Sequence, residues 1–183
     1  QYYPESEQAG LTVIASSVAM AEVIANLLPG EVSIKWPNDI LVQSLKLCGI
    51  LVENIKIRNS QRPIIGIGLN CHQVPRFFNE KNLNGATSLD IQTNSYNDRN
   101  ALAAAIIESH EKYLHLASHG KINEVITAWQ SYNFQAGSRL TIRSNNKLYT
   151  GTCISLEPLK GITIVTDSGR EIFFNSATAT IVS

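Results

Sequence analysis

The spacing of apolar residues divides the start of the chain into one helix and a first strand. From Leu11 to Leu28, apolar residues recur every three or four positions, and this interval predicts an amphipathic helix. Pro29 and Gly30 end the pattern, because the residue before a proline disfavours the helical conformation. Apolar and polar residues then alternate from Val32 to Trp36, which is the period of a β-strand. The polar residues 1–10 are predicted to form a loop or the end of an element that starts earlier.

Three more strand patterns follow closely on the first. Strands are predicted at residues 40–42, 46–57 and 64–71, separated by Gln43–Ser44 and by residues 58–63. Connections this short join antiparallel neighbours, so the four strands are expected to form a meander.

Helical patterns occupy the middle of the chain. Residues 74–97 show no clear period and are predicted to be irregular. Asn97 or Asp98 is expected to cap a helix that runs to about His119. A short helix is predicted around residues 122–129.

A strand-rich tail begins at Phe134. It contains short β-type segments separated by turn residues, which is typical of a small barrel of the SH3-like kind. The five strands are predicted at residues 138–143, 147–157, 161–167, 170–175 and 179–182. The chain is therefore predicted to be an α+β protein. Helices would pack on a mixed or antiparallel sheet at residues 1–133, and an SH3-like barrel would follow at residues 134–183.

Composition narrows the class of protein. The chain has 183 residues, a formal net charge of zero and 44% hydrophobic residues, which is typical of an ordinary globular protein. The zero net charge argues against nucleic acid as a partner of this segment. No uninterrupted apolar run reaches the roughly 18 residues that span a bilayer, so no membrane segment is expected. Three cysteines without a C-x-x-C pair favour a reducing, cytoplasmic environment over disulfides or a zinc site.

Polar residues interrupt the apolar strands at three places, and these residues are the candidates for chemistry. Asn38 and Asp39 follow the first strand, and Lys46 begins an apolar strand in which Gly49 lies three positions later. The alternating positions of Gly66, Gly68 and Asn70 place them on one face of a strand, where two missing side chains would leave a groove for a ligand.

Each of these candidates also has a purely structural explanation. Lys46 could extend its amine to the surface, and the two strand glycines could mark a bulge or tight packing. Asn38 and Asp39 are common turn residues, and Asp39 could pair with a nearby lysine or bind magnesium.

Two further groups of residues are not assigned to a site. His115 and His119 are four positions apart on a predicted helix, but no third metal ligand is visible in the sequence, so no protein-bound metal site is predicted. Cys48 and Cys71 fall in predicted strands and are expected to be small buried residues rather than nucleophiles.

Three ordered motifs resemble the catalytic domain of biotin protein ligases (biotin–acetyl-CoA-carboxylase ligases). The family pattern is K-W-P-N-D, K-x-x-G-I-L-x-E and G-I/A-G-x-N, and it corresponds here to residues 35–39, 46–53 and 66–70. Ala86–Leu89 is similar to another short family segment, and the strand-rich tail is similar to the family's SH3-like domain. The resemblance implies the class II synthetase-like biotin/lipoate ligase fold. The family's G-R-G-R-x-G-R loop and the Ser/Thr-rich segment before it have no counterpart in these 183 residues.

The resemblance also implies an activity. Such ligases use ATP and Mg²⁺ to convert biotin to biotinyl-5′-adenylate and then transfer biotin to a lysine of a biotin carboxyl carrier domain. Lys46 corresponds to the catalytic lysine that contacts both biotin and phosphate oxygens. The other implied positions line either the biotin groove or the nucleotide and magnesium side. The biotin positions are Gly49, Ile50, Leu51, Gly66 and Gly68, and the nucleotide positions are Asn38, Asp39 and Asn70.

Two other functions stay open at this point. One is a lipoate or octanoate ligase or transferase of the same fold, and the other is a non-catalytic binding or interaction module. Because the loop that covers the adenylate is missing, residues 1–183 by themselves are expected to show little or no ligase activity. The sequence leaves open the carrier protein, homodimer formation and any role in transcription.

Overall fold

The computed structural model describes residues 5–57, 60–176 and 178–182. In these parts the chain forms five helices and nine strands. The helices are α1 (Glu5–Leu27), α2 (Pro75–Glu80), α3 (Leu89–Thr93), α4 (Arg99–Ser118) and α5 (Ile122–Tyr132). The strands are β1 (Val32–Lys35), β2 (Asp39–Val42), β3 (Leu45–Ile57), β4 (Ser60–Leu69), β5 (Arg139–Ser144), β6 (Lys147–Glu157), β7 (Gly161–Thr166), β8 (Glu171–Asn175) and β9 (Ala179–Ile181).

The first four strands form one antiparallel sheet in the order β1-β2-β3-β4. This arrangement confirms the predicted meander, since each strand pairs with its neighbour along the chain. Gln43 and Ser44 make the tight connection between β2 and β3 with positive φ angles of 49° and 66°. The last five strands form a second antiparallel sheet in the order β8-β7-β6-β5-β9.

Helix α1 lies against the first sheet and also contacts α4 and α5. Its central residues are completely buried, and many of them are small, which allows the neighbouring elements to approach closely. They include Ala15, Ser16, Ser17, Val18, Ala19, Met20 and Ala21. In β1, Ile34 is completely buried, and Trp36, which follows the strand directly, is 1% exposed.

The hydropathy of α1 bears on the expectation that no segment spans a membrane. Residues Ala9–Leu27 are long and apolar enough to span a membrane by length and composition, although their apolar run is interrupted. Length and composition alone therefore do not decide whether this helix spans a membrane, and the expectation of no membrane segment stays a prediction. In the structure, 67% of this window is buried within the protein, which is the environment of a core helix.

Two predictions about the helices were wrong. Helix α1 begins at Glu5, not at Leu11, because glutamate, serine and glutamine are compatible with the first turns of a helix even without an apolar stripe; residues 1–4 lie outside the described parts. The segment 74–97 contains α2 and α3, which have only six and five residues, too few to show a period.

Strand β4 begins at Ser60, so the predicted break up to Pro63 is also wrong. Pro63 pairs with Asn54 at the edge of the sheet, where a residue without an N–H group is tolerated. Arg58 and Asn59 lie outside the described residues.

Other predictions are confirmed closely. Asp98 caps α4 by accepting hydrogen bonds from the backbone N–H groups of Asn100 and Ala101. The five C-terminal strands occur where the alternation indicated. The SH3-like class of this sheet and a domain boundary at residues 133/134 stay predictions.

Candidate functional site

A groove of about 460 Å³ lies on the first sheet, beside the turn between β1 and β2. It contains every site residue predicted from the three motifs except Asn70. Its lining residues are Asn38, Asp39, Lys46, Gly49, Ile50, Leu51, Gly66, Ile67 and Gly68. The sequence motifs, which are separated by up to about thirty positions, therefore meet on one surface.

The strand glycines leave the middle of this surface without side chains. Gly49 pairs with Gly68 across β3 and β4, and Gly66 pairs with Leu51. A Cβ atom at Gly66 would lie 3.8 Å from the nearest atom, and one at Gly68 would lie 3.7 Å from the nearest atom. These are ordinary contact distances, so packing does not require glycine at either position. The missing side chains instead allow a ligand to approach the backbone.

Lys46 and Asp39 form an ion pair over this surface. The Nζ atom of Lys46 lies 2.7 Å from Oδ1 of Asp39, and the two side chains are 47% and 24% exposed. A Cβ atom at Gly49 would lie 3.4 Å from Nζ of Lys46 and 3.5 Å from Oδ1 of Asp39. The ion pair thus lies directly above Gly49, and the amine of Lys46 points to a carboxylate in the groove.

The backbone of Lys46 is held on its other side by the segment that precedes α3. Its N–H group donates to the carbonyl of Gly85 over 2.7 Å, and its carbonyl accepts from Thr87 over 2.9 Å. Strand β3 therefore begins in a fixed position, although Lys46 lies next to a register shift between β2 and β3. A lysine anchored in this way is oriented by its backbone as well as by its ion pair.

Asn38 fastens the β1–β2 turn to strand β3. Its side-chain amide donates to the carbonyl of Ile50 over 2.6 Å, and its own carbonyl accepts from the N–H group of Ile50 over 3.0 Å. Asp39, the next residue, pairs with Gly49 in the register of β2 and β3. The turn residues therefore have a specific structural task, which also brings Asp39 to Lys46.

Asn70 does not line the groove. Its side-chain amide donates to the carbonyl of Thr87 over 3.0 Å, and its backbone N–H group donates to the carbonyl of Leu47 over 3.0 Å. These bonds connect the end of β4 to the segment before α3. Its assignment to the nucleotide side stays a prediction.

Two residues that contact the motifs were not predicted from the sequence. Ile67 lies between the two glycines of β4 and lines the groove, and it also lines a second pocket together with Leu69, the next residue on its own face of the strand. Gln135 is 1% exposed, and its side-chain oxygen accepts a hydrogen bond from the backbone N–H group of Trp36 over 2.9 Å. No local sequence signal predicts this contact, because the two residues are far apart along the chain.

The cysteines are not suited to act as nucleophiles. Cys48 is buried, and burial raises the pKa of its thiol to about 12, with a further contribution from Asp39. Burial also raises the pKa of the partly buried Cys71. Both thiols are therefore protonated at neutral pH. Cys48 is buried in β3 as predicted, whereas Cys71 lies beyond the end of β4 and is only partly buried, so its predicted position in a strand was wrong.

The two histidines near the end of α4 stack on each other. The ring centroids of His115 and His119 are 3.9 Å apart, and Nδ1 of His119 is within 2.9 Å of the carbonyl oxygen of His115. Among the described residues there is no group of three or more histidine, cysteine, aspartate or glutamate side chains that could hold a metal ion.

Comparison with known proteins connects this site to a family. Residues 1–70 match the sequence model described as the biotin/lipoate A/B protein ligase family. Over 168 residues, which are 91% of this chain and 51% of the relative, the sequence is 30% identical to the bifunctional ligase/repressor BirA of Bacillus subtilis. Over 105 residues it is 31% identical to the biotin–[acetyl-CoA-carboxylase] ligase of Mycobacterium tuberculosis, covering 56% of this chain and 36% of that protein.

A solved structure has the same fold over nearly the whole of this chain. The biotin protein ligase from Aquifex aeolicus in complex with biotin and ATP superimposes with a TM-score of 0.77 at 22% identity. The match covers 94% of this chain and 71% of that one. The chain spans about half the length of the first curated relative, with 51% of that protein covered. The α+β fold with antiparallel sheets is that of a biotin protein ligase catalytic domain, and this chain carries a domain of the biotin/lipoate A/B protein ligase family, homologous to the bacterial biotin ligases.

Proposed function

We propose that this chain is the catalytic part of an ATP-dependent biotin–protein ligase. The observation that carries the proposal is the convergence of the three motifs on one groove, with the Lys46–Asp39 ion pair above the glycine surface of β3 and β4. The homology to bacterial biotin ligases gives the substrate class. The proposed reaction forms biotinyl-5′-adenylate and transfers biotin to a lysine of a biotin carboxyl carrier domain.

In the first step, a carboxylate oxygen of biotin attacks the α-phosphorus of ATP, and pyrophosphate leaves. Both reacting groups are anionic, so a positive charge placed before the reaction stabilises the charge that builds up on the phosphate oxygens. Lys46 is the groove residue that supplies such a charge. Asp39 orients the lysine amine before substrate binds, since the two groups form an ion pair at 2.7 Å.

The glycine surface supplies the binding site for biotin. Without side chains at Gly49, Gly66 and Gly68, a ring system can lie directly against the strand backbone. Leu51, which is 58% exposed, provides apolar contact at the margin of this surface, whereas Ile50 is 1% exposed and points its side chain into the core, so its predicted contact with biotin is limited to its backbone. Small-molecule sites usually combine apolar contacts with a few polar groups, and this groove contains both kinds of residue.

In the second step, the ε-amine of the carrier lysine attacks the carbonyl carbon of the mixed anhydride, and AMP leaves. The nucleotide side of the groove is assigned to Asn38, Asp39 and Asn70. Mg²⁺ usually binds to one or two carboxylates together with substrate phosphates. Asp39 is the acidic residue among the groove-lining side chains and fits this role, with ATP phosphates supplying the other ligands.

The remaining parts of the proposal concern the whole protein. We assign residues 1–133 to the catalytic domain and residues 134–183 to an SH3-like barrel, on the basis of the second antiparallel sheet. The protein acts in the cytoplasm on a biotin carboxyl carrier protein. The carrier's identity, homodimer formation and regulation of transcription are separate questions.

The decisive experiment is an assay with three substrates. The longest natural form of the protein is incubated with ATP, Mg²⁺ and biotin, lipoate or octanoate, and acyl-dependent exchange of labelled pyrophosphate is measured. We expect exchange with biotin alone, followed by transfer of biotin to a carrier domain. Exchange with lipoate and not biotin would support the other branch of the family, which its name includes. No exchange with any acid would support a non-catalytic binding module.

A further inference from the structure

Two side chains from the connection between α5 and β5 form hydrogen bonds to the backbone of Ile34 and Trp36, at the start of the K-W-P-N-D motif. Neither side chain lines the groove. These residues are Asn133, which follows the last residue of α5, and Gln135, which is 1% exposed. They form a hydrogen-bonded pair in which Nδ2 of Asn133 donates to Oε1 of Gln135 over 3.0 Å. The backbone N–H group of Gln135 donates in return to Oδ1 of Asn133 over 3.1 Å.

This pair holds the outer edge of strand β1. Oε1 of Gln135 accepts from the N–H group of Trp36 over 2.9 Å, and Nδ2 of Asn133 donates to the carbonyl of Ile34 over 3.2 Å. In the described sheet β1 has a strand neighbour on one side only, so these two backbone groups point away from β2. The side chains of Asn133 and Gln135 therefore replace a neighbouring strand at the point where β1 enters the turn.

A short chain of contacts leads from this edge to the groove. Trp36 lies two residues before Asn38, which is bonded through both its side chain and its carbonyl to Ile50 of β3. Asp39 follows and holds Nζ of Lys46 at 2.7 Å. A displacement of β1 at Trp36 would therefore first move the turn and the carboxylate that orients the lysine, whereas Gly66 and Gly68 lie on β4, which pairs with β3 and not with β1 or β2.

We propose that Asn133 and Gln135 are positioning residues for the Lys46–Asp39 pair. This inference rests on the proposed function. It means that the position of the lysine and carboxylate during adenylation depends on the connection that leads into the C-terminal sheet. Loss of the Gln135 acceptor should lower the rate of adenylate formation much more than it lowers the affinity for biotin. Small displacements of reacting groups have large effects on rate, about a hundredfold for roughly 1 Å.

The test compares Gln135→Leu, Gln135→Glu and Asn133→Ala in the longest natural form of the protein. Leucine removes the acceptor, whereas glutamate keeps an oxygen at the same place. For Gln135→Leu we expect single-turnover adenylate formation to fall about ten- to a hundredfold, with the dissociation constant for biotin changed by less than about threefold. Gln135→Glu should restore most of the rate.

Ser109→Ala is the matched control for a loss of stability alone. Ser109 is buried and donates a hydrogen bond to Glu22, and neither residue lines the groove. Amide exchange of Trp36, measured by NMR, reports the proposed bond directly. It should become faster in Gln135→Leu and stay slow in Gln135→Glu and Ser109→Ala.

The possible results separate the inference from the proposed function. A wild-type protein without biotin-dependent pyrophosphate exchange would contradict the proposed function, whereas an active wild type with an equally active Gln135→Leu variant would overturn the inference. The inference would also be overturned if Gln135→Leu lost adenylation rate, biotin affinity and folded fraction to the same extent, which is the pattern expected for the control Ser109→Ala. If Gln135→Leu does not fold, Asn133→Ala decides by the same criteria.

Discussion

The two sheets use glycine for opposite purposes. In the C-terminal sheet, a Cβ atom at Gly151 would collide with the carbonyl of Val165, and one at Gly161 would collide with the carbonyl of Phe174. In the first sheet, the same atom at Gly66 or Gly68 would make only ordinary contacts. Glycine is therefore required by packing in the second sheet, whereas in the first it keeps a surface open.

The two sheets also differ in where their charged side chains lie. The C-terminal sheet fills its interior with apolar side chains such as Ile142, Ile162 and Ile164, and its Arg139–Asp167 ion pair lies outside. The first sheet places Lys46 and Asp39 over its glycine surface. A stable antiparallel sheet does not need such an arrangement, and this contrast distinguishes a candidate site from a packing unit.

The strongest test of this contrast is Lys46→Ala. Loss of one preorganised cationic donor typically lowers the rate about a hundredfold or more, so biotin-dependent pyrophosphate exchange should fall by this amount. The melting temperature should change little, because the side chain is 47% exposed. Lys35→Ala is the matched control, since Lys35 belongs to the same motif but does not line the groove. Unchanged exchange in Lys46→Ala would disprove the catalytic assignment.

A second test makes the same substitution in both sheets. Gly151→Ala should lower the free energy of unfolding by about 1–3 kcal/mol, because a methyl group is forced against a strand backbone. Gly68→Ala should leave stability nearly unchanged and weaken biotin binding by roughly tenfold, the effect of about one methyl group in a fitted pocket. Urea denaturation and calorimetric titration with biotin measure the two effects. If Gly68→Ala destabilises the protein as much as Gly151→Ala, the contrast between the sheets is wrong.

A third test uses pH to examine the helices behind the first sheet. Ser16 is completely buried, and its hydroxyl lies 2.9 Å from Nε2 of His110. Burial lowers the pKa of His110 below its ordinary value of 6.5, although Glu111 acts in the opposite direction. The folded state therefore favours the neutral imidazole. Its contribution to stability is complete above about pH 6.5 and is lost as the pH falls through the lower pKa of the folded state.

The variant His110→Gln tests this expectation, because it can be compared with the wild type at each pH. Between pH 7 and pH 5 the urea midpoint of the wild type should fall more steeply than that of His110→Gln, which has no group that titrates there. Amide exchange should locate the acid-induced weakening in α1 and α4 rather than in the C-terminal sheet. Parallel pH profiles for wild type and variant would show that His110 does not contribute.

The smallest expected effect concerns the surface of the C-terminal sheet. Arg139 forms two 2.7 Å hydrogen bonds with Asp167, and both side chains are largely exposed. Exposed ion pairs contribute little to stability, so Arg139→Ala should leave the melting temperature almost unchanged. The bonds to Arg139 lower the pKa of Asp167, and an NMR titration should show this pKa rising toward its ordinary value in the variant. A large drop in melting temperature would show that the outer face also stabilises this sheet.

The elements with a clear local signal could be predicted from the sequence. The residue patterns in β1 to β4 and in the C-terminal strands predicted a counterpart for each of the nine described strands, and the helix cap was narrowed to Asn97 or Asp98, of which the structure selects Asp98. The short helices α2 and α3 and the start of α1 were missed, because their residues carry too little periodicity. Most of the candidate site could also be predicted, since polar residues and glycines in the strands indicated six of the nine groove residues and the family resemblance added Ile50 and Leu51.

Within that site, only the tertiary structure decided which residues touch. The sequence left open whether Lys46 points to solvent or to a partner and whether the strand glycines reflect packing; the fold places Lys46 against Asp39 and leaves room at Gly68. The bond from Trp36 to Gln135 joins residues 99 positions apart. Side-chain periodicity reports how a segment is buried and not which distant segment covers it, so the sequence determined the elements and motifs, while long-range packing determined how the groove is held together.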